Sequence, residues 1–161
     1  MNTIDSITLA KYVLAKLGQM PHLKLQKLLY YIEAWHLAIL DCELIPDKFE
    51  AWMHGPVLRN IWYHYRDYGM MTLNNLVYID EHEKDTIEKI IEQSLVQDQI
   101  ELINDVLNEY GDKSAYHLEC LTHRERPWVE ARKEIEPAEK CSNEISKKTM
   151  KEYYTKLLYQ Q

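Results

Sequence analysis

Residues 117–132, HLECLTHRERPWVEAR, include the side-chain types that catalysis uses. An imidazole titrates near neutral pH and needs a carboxylate to fix its tautomer, so His123 with Glu125 or Glu130 would serve as a base with its orienting partner. Cys120 lies three residues before His123 and would be a nucleophile. One function left open by this pattern is a small hydrolase that gathers His123 or Cys120 with an acid in a concave pocket.

A structural explanation of the same residues is simpler. Free cysteine is among the most buried residue types, and a histidine at the end of a helix hydrogen-bonds the last carbonyls. We therefore interpret His123 as the end of one helix and Trp128 as the anchor of the next. The sequence predicts no catalytic residue, and the protein is not expected to be an enzyme.

Metal and cofactor sites lack their usual signatures. None of the seven histidines stands at H-x-x-x-H or H-E-x-x-H spacing, and no phosphate-binding glycine motif is present among only four glycines. We predict no metal and no cofactor. Cys42, Cys120 and Cys141 include no C-x-x-C pair, and the N-terminus has no secretion signal or membrane span, so the expected location is the cytoplasm.

The net charge of −7 is concentrated in one segment, because residues 80–112 hold eleven acids and two bases. A functional explanation is a surface that steers a basic partner, whereas the ordinary explanation is a solvated helix face. An acidic chain repels phosphate backbones, so nucleic-acid binding is disfavoured. A regulator that binds nucleic acid remains a third possibility, for which the candidate basic patch is Lys147, Lys148, Lys151 and Lys156.

Helical periodicity begins in the first residues of the chain. Ser6 is predicted to cap a helix that ends at Gly18. A long apolar stripe after Pro21 predicts a central helix. Tyr30 and Tyr31 lie outside or at the edge of that stripe, so this helix is expected to be covered on more than one side.

The middle of the chain predicts a small β element and a further helix. Alternating residues at 49–53 predict a short strand, with which a second short strand at 76–79 could pair. The Gly55-Pro56 pair is predicted to open a helix over residues 57–68 that stops at Gly69.

The remainder is predicted to be helical. Asp80 caps an acidic first turn, and a shift in apolar phase predicts two helices that end at Gly111. Ser114, Pro127 and Ser146 are each placed to begin another helix. The predicted fold is mainly α, a compact single-domain helical bundle of six to eight helices with a minor two-stranded β element.

The aromatic composition favours a binding function. The chain has twelve Tyr and four Trp but one Phe. A core alone gives no reason to prefer Tyr, because each buried phenol needs a hydrogen-bond partner, whereas Tyr and Trp are enriched at protein interfaces. The excess therefore raises the expectation of a protein-binding module.

Four stretches resemble the Panacea domain, the family of SocA-like and GepA-like phage-associated proteins. They are LKLQKLLYYIEAWHLA at 23–38, FEAWMHGPVLRNIWYHY at 49–65, YGDKSAYHLECLTHRERPWVEAR at 110–132 and ISKKTMKEYY at 145–154. The resemblance implies one helical domain over residues 1–161 that acts as the antitoxin of a toxin–antitoxin system in bacteria, prophages and phages. It implies direct binding of a cognate protein toxin, encoded by the adjacent gene, without catalysis.

The resemblance also indicates which motif residues have a structural role. Those expected to be structural are Lys24, Gln26, Lys27, Trp52, Gly55, Pro56, Val57, His123, Pro127 and Trp128. Of these, Lys24, Gln26 and Lys27 are expected to form the polar edge of the central helix, and Trp52 to fill a pocket. Many family members carry an added N-terminal domain, some for DNA binding, and we expect none here. The predicted toxin contact is a cluster of aromatic and arginine side chains, Arg59, Trp62, Tyr63 and Arg66.

Overall fold

The computed structural model describes residues 1–68 and 75–161. This part of the chain contains eight α-helices and two two-stranded sheets, which confirms the predicted mainly α class. The elements in chain order are α1 Ser6–Leu17, β1 Met20–Pro21, α2 His22–Leu40, β2 Glu50–Trp52, β3 Gly55–Val57, α3 Arg59–Tyr65, a 3-10 turn Arg66–Tyr68, β4 Leu76–Val77, α4 Glu81–Ser94, α5 Gln97–Tyr110, α6 Ala115–Arg124, α7 Arg126–Ala131 and α8 Lys147–Tyr159.

Helix α2 is the centre of the molecule. It packs against α1, α5, α6, α8 and strand β3, and Tyr30 and Tyr31 are fully buried, so its predicted covering on several sides is confirmed. The predicted polar edge is wrong for Gln26 and Lys27, which are also fully buried. Lys24 is half-buried, and its Nζ donates to the carbonyl oxygen of Gly111 at 2.6 Å.

The β elements differ from the prediction in two ways. The strand predicted at 49–53 is present as β2, but its partner is β3, with Ala51 opposite Pro56. Gly55 and Pro56 therefore lie in the second strand of a hairpin instead of opening a helix, and α3 begins only at Arg59. The strand predicted at 76–79 pairs with β1, with Met20 opposite Val77. Pairing partners come from distant parts of the chain, which local spacing does not report.

Most helix ends follow their local capping residues. Ser114 and Ser146 cap α6 and α8, Asp80 begins α4 with a capping box, and α4 and α5 are separate as predicted. The cap of α1 is Asp5, whose carboxylate accepts from the Thr8 amide, and not Ser6. The predicted helix end at Gly69 lies outside the described residues. No helix in the described ranges is long and apolar enough to cross a membrane.

Candidate functional site

Five side chains from the hairpin and the segment after it form one exposed cluster, here called the aromatic–arginine surface: Trp52, Arg59, Trp62, Tyr63 and Arg66. The ring centroids of Trp52 and Trp62 are 5.9 Å apart, and those of Trp62 and Tyr63 are 5.1 Å apart. The guanidinium carbon of Arg66 lies 5.2 Å from the centre of the Tyr63 ring. The four residues predicted for partner contact are therefore neighbours in space, joined by Trp52.

Arg59 is held in place by a carboxylate on the hairpin. Its Nε and one terminal nitrogen donate to the two Glu50 oxygens at 2.8 and 2.7 Å, and its guanidinium carbon lies 5.4 Å from the Trp52 ring centre. Trp52 Nε1 donates to the same carboxylate at 3.1 Å. The Arg59 guanidinium lowers the pKa of Glu50, as expected for a bidentate pair. The Arg59 guanidinium is thus held in one orientation, and the Glu50 carboxylate balances much of its positive charge.

A cavity of about 470 Å³ adjoins this cluster. Its walls come from the hairpin, the start of α3 and the segment before α8, and they are Trp52, Met53, His54, Arg59, Lys140, Cys141 and Ser142. Trp52 is half-exposed on the cavity wall, so the expectation that it fills a pocket is wrong. The arrangement is a concave, largely apolar recess with cationic side chains at its edge.

The hairpin is supported from below by two polar residues of α2. Gln26 Oε1 accepts from the Leu58 amide at 2.9 Å, and Lys27 Nζ donates to the Pro56 carbonyl oxygen at 2.9 Å. Burial lowers the pKa of Lys27 to about 7, and the nearby Glu119 carboxylate opposes that shift. These side chains supply hydrogen bonds to backbone groups that the helix start and the hairpin leave without partners.

Gly55 allows Lys27 to reach the hairpin. Its φ of +105° favours glycine, and a Cβ at this position would lie 2.5 Å from Lys27 Cε and 2.9 Å from Thr122 Oγ1. Pro56 and Val57 follow in β3 and are buried. The W-x-x-G-P-V motif is therefore a tight hairpin closed over a buried lysine, and it sets the position of the exposed residues on α3.

Residues 25–129 match the protein family described as "Antitoxin SocA-like, Panacea domain". The chain belongs to this family. The match covers about two thirds of the chain, so the assignment of all of residues 1–161 to a single Panacea domain stays a prediction. No curated protein and no solved structure matches the chain.

Within the Panacea match, the T-H-x-x-x-P-W motif fastens α6 and α7 to the hairpin. The rings of His123 and Trp128 are stacked with centroids 4.1 Å apart, and Trp128 Nε1 donates to the Trp52 carbonyl oxygen at 2.9 Å. Pro127 is buried in the first turn of α7. His123, Pro127 and Trp128 thus lie where α6, α7 and the hairpin meet.

The acids proposed as partners of His123 are engaged elsewhere. Glu125 accepts from Tyr31 and Tyr154 inside the core, and Glu130 pairs with Arg126. The carboxylate near His123 is that of Glu119, 4.0 Å from Nε2, and burial lowers the pKa of His123. The geometry therefore does not assemble the base and orienter that the sequence spacing allowed.

The Glu119 carboxylate accepts a hydrogen bond from His54 Nδ1 at 2.9 Å. These two side chains are not part of a metal site within the described residues. In residues 1–68 and 75–161, no group of three or more His, Cys, Asp or Glu side chains is arranged to hold a metal ion. Cys42, Cys120 and Cys141 are free thiols, each half-exposed.

Arg132 is a buried residue of the site that the sequence did not single out. It is 3 % exposed, and its guanidinium donates to the carbonyl oxygens of Ala51, Glu136, Pro137 and Glu139. The same group lies 5.0 Å from the centre of the Trp128 ring. Arg132 thereby fixes the segment that leads to the cavity wall at 140–142. A charged residue at the end of a short helix gives no sequence signal that it will be buried.

The acidic segment of this Panacea protein divides into two parts. On α4, Glu83 and Glu88 pair with Lys11 and Lys16 of α1 at 3.1 and 3.3 Å. Helix α5 contains four acids, no Lys and no Arg, and no ion pair to those acids occurs in the described ranges. In the described part of the chain, the acids of residues 80–112 without an ion pair are therefore the four of α5 together with Asp80, Asp85, Glu92 and Asp112.

Proposed function

We propose that this protein is the antitoxin of a toxin–antitoxin pair and that it neutralises a cognate protein toxin by direct contact through the aromatic–arginine surface. Membership of the Panacea family supports the antitoxin role. We expect the adjacent gene to encode the toxin and the pair to be associated with phages or prophages. The three free cysteines support action in a reducing compartment such as the cytoplasm.

The observation that carries the placement is the exposed cluster itself. Tyr63 is 49 % exposed, although Trp62 packs against one side of its ring and Arg66 lies over it. Side chains held in one conformation before binding lose little conformational entropy when a partner covers them. Arginine and aromatic residues so arranged are typical of the few residues that dominate binding energy.

The support of the cluster favours binding over chemistry. Lys27 and Trp128 hydrogen-bond to the backbone of the hairpin, and Gln26 bonds to the backbone of Leu58 directly after it. These bonds fix the position of Trp52 relative to α3 and leave the outer faces of both exposed. The recess of about 470 Å³ beside Trp52 gives a partner side chain a concave place to enter.

The test is a combined variant, Arg59→Ala, Tyr63→Ala and Arg66→Ala, measured against the product of the adjacent gene. We expect affinity to fall by about 100-fold or more, because two or three residues of this kind commonly carry most of a binding interface. Co-expression of the variant with the toxin gene is expected to lose the growth rescue that the unchanged antitoxin gives.

The matched control is Tyr116→Ala, Arg124→Ala and Lys148→Ala, which removes one exposed tyrosine and two exposed positive charges from other surfaces. Circular dichroism establishes that both variants are folded. If the two triple variants bind the toxin equally well, the aromatic–arginine surface is not the contact. If the unchanged protein neither binds nor rescues, the proposed function itself fails.

A further inference from the structure

A second recess, here called the α5 groove, lies between α2, α5 and the end of α8, on different elements from the aromatic–arginine surface. Its volume is about 460 Å³. Its walls are Trp35, Ile39, Leu102, Val106, Tyr110 and Leu158, with Asp105, Glu109 and Gln161 also lining it. The exposed lining of the groove is about equally polar and apolar, with carboxylates along its α5 side.

The floor of the groove is ordered and partly exposed. Trp35 Nε1 donates to the Tyr110 hydroxyl at 2.9 Å, which fixes both rings. Ile39 is 46 % exposed and Leu158 is 38 % exposed, so apolar surface remains uncovered at this place. Apolar area removed from water on binding is favourable, and a preformed floor requires little rearrangement.

The charge beside the floor is negative and uncompensated. Glu101, Asp105 and Glu109 follow one another at four-residue spacing on α5, which is about 6 Å per step along the helix axis. Lys113 binds the backbone carbonyl oxygen of Glu109 at 2.9 Å and not its carboxylate. On α4, by contrast, Glu83 and Glu88 are already paired with α1 lysines.

We propose that the α5 groove binds a basic amphipathic helix of a partner protein. Apolar side chains of that helix rest on Trp35, Ile39 and Leu158, and Lys or Arg side chains at four-residue spacing meet the carboxylates of Asp105 and Glu109. Nucleic acids and anionic membranes are excluded as occupants, because their phosphates are repelled by the same carboxylates. This inference does not require the aromatic–arginine surface to bind the toxin.

The test uses a fluorescently labelled synthetic peptide of Leu and Lys, about 18 residues long, in which Leu recurs at three- and four-residue spacing so that one helix face is apolar. Binding to the full chain is measured by fluorescence anisotropy at low and at physiological salt. We expect saturable binding that Asp105→Asn with Glu109→Gln weakens at least tenfold at low salt. Ile39→Asn, which leaves the charge unchanged, is expected to weaken it as well.

Two controls separate the groove from general charge attraction. Asp85→Asn with Glu92→Gln removes the same charge from exposed positions of α4 and is expected to change affinity less than twofold. A peptide of identical composition with its Leu residues dispersed around the helix is expected to bind at least tenfold more weakly. Equal binding of the two peptides, or equal effects of the two double variants, would overturn the proposal.

Discussion

Tyrosines serve opposite purposes in two regions of this molecule. In the core, Tyr31 and Tyr154 both donate to Oε1 of Glu125, the latter at 3.1 Å, and both rings are buried. Tyr110 stacks on Tyr31 with centroids 4.3 Å apart. We call these residues the tyrosine network. On the aromatic–arginine surface, Tyr63 is half-exposed and the Arg66 guanidinium lies near one face of its ring.

The difference corrects the interpretation of the aromatic composition. A buried carboxylate needs donors, and Tyr31 and Tyr154 provide them where Phe would not. Tyr12, also buried, donates to Asn104 at 2.9 Å. Part of the tyrosine excess is therefore a requirement of the core, and the statement that a core gives no reason to prefer Tyr is wrong for this protein. The case for an interface rests on the exposed cluster alone.

The largest expected effect comes from removing the centre of the tyrosine network. Glu125→Ala leaves two buried phenol groups without an acceptor and opens a small cavity, so we expect the free energy of unfolding to fall by about 5 kcal/mol. Urea denaturation measures the change. Glu130→Ala, an exposed acid of the adjacent helix, is expected to cost about 0.5 kcal/mol. Similar losses from the two variants would contradict the network.

The next largest effect is expected at Gly55, in the hairpin beneath the aromatic–arginine surface. Gly55→Ala forces a side chain into a left-handed position and against Lys27 and Thr122, so we expect a loss of about 4 kcal/mol. Gly18→Ala is the matched control, since Gly18 has φ +81° but nothing within 4 Å of an added Cβ, and it is expected to cost about 2 kcal/mol. Thermal or urea unfolding compares them. Equal costs would show that the lysine contact does not matter.

The tyrosine network also predicts a pH dependence of stability. Burial raises the pKa of Glu125 from 4.5 to about 7, so the folded protein binds more protons than the unfolded chain between these values. Stability therefore decreases as pH rises from about 4.5 to about 7. Glu125→Gln removes this contribution, and the stability of the unchanged protein relative to the variant is expected to fall by about 3 kcal/mol across that window. A constant difference across urea titrations at several pH values would contradict the shift.

The smallest expected change in stability comes from removing single tyrosine hydroxyl groups, one on the surface and one in the core. Tyr63→Phe removes an exposed hydroxyl and is expected to change the free energy of unfolding by less than about 0.5 kcal/mol. Tyr154→Phe removes a buried donor to Glu125 and is expected to cost about 1.5 kcal/mol. Urea denaturation of the pair decides whether the two tyrosines differ as their burial indicates.

Features that depend on a few adjacent residues were predictable from the sequence. The caps at Ser114 and Ser146 depend on a side chain three residues from the amide it binds. Arg59, Trp62, Tyr63 and Arg66 lie at helical spacing, so their closeness also follows from local geometry.

Features that depend on distant partners were not predictable. β3 requires β2, and the burial of Lys27 and Arg132 requires carbonyl oxygens from remote segments. The sequence around a lysine that lies between apolar residues is the same whether its amine contacts water or a buried backbone oxygen. Trp52 and the cavity it lines likewise depend on residues 140–142, far along the chain.

Arg132 holds its neighbouring segment only through backbone oxygens, a group that every amino acid carries. The hydrogen bonds from Arg132 to residues 136, 137 and 139 therefore do not depend on the side chains at those positions. Substitutions in this segment can alter the shape and charge of the recess while the same guanidinium keeps the chain in position. Under the proposed function, such substitutions would change which partner the recess accepts without changing the fold.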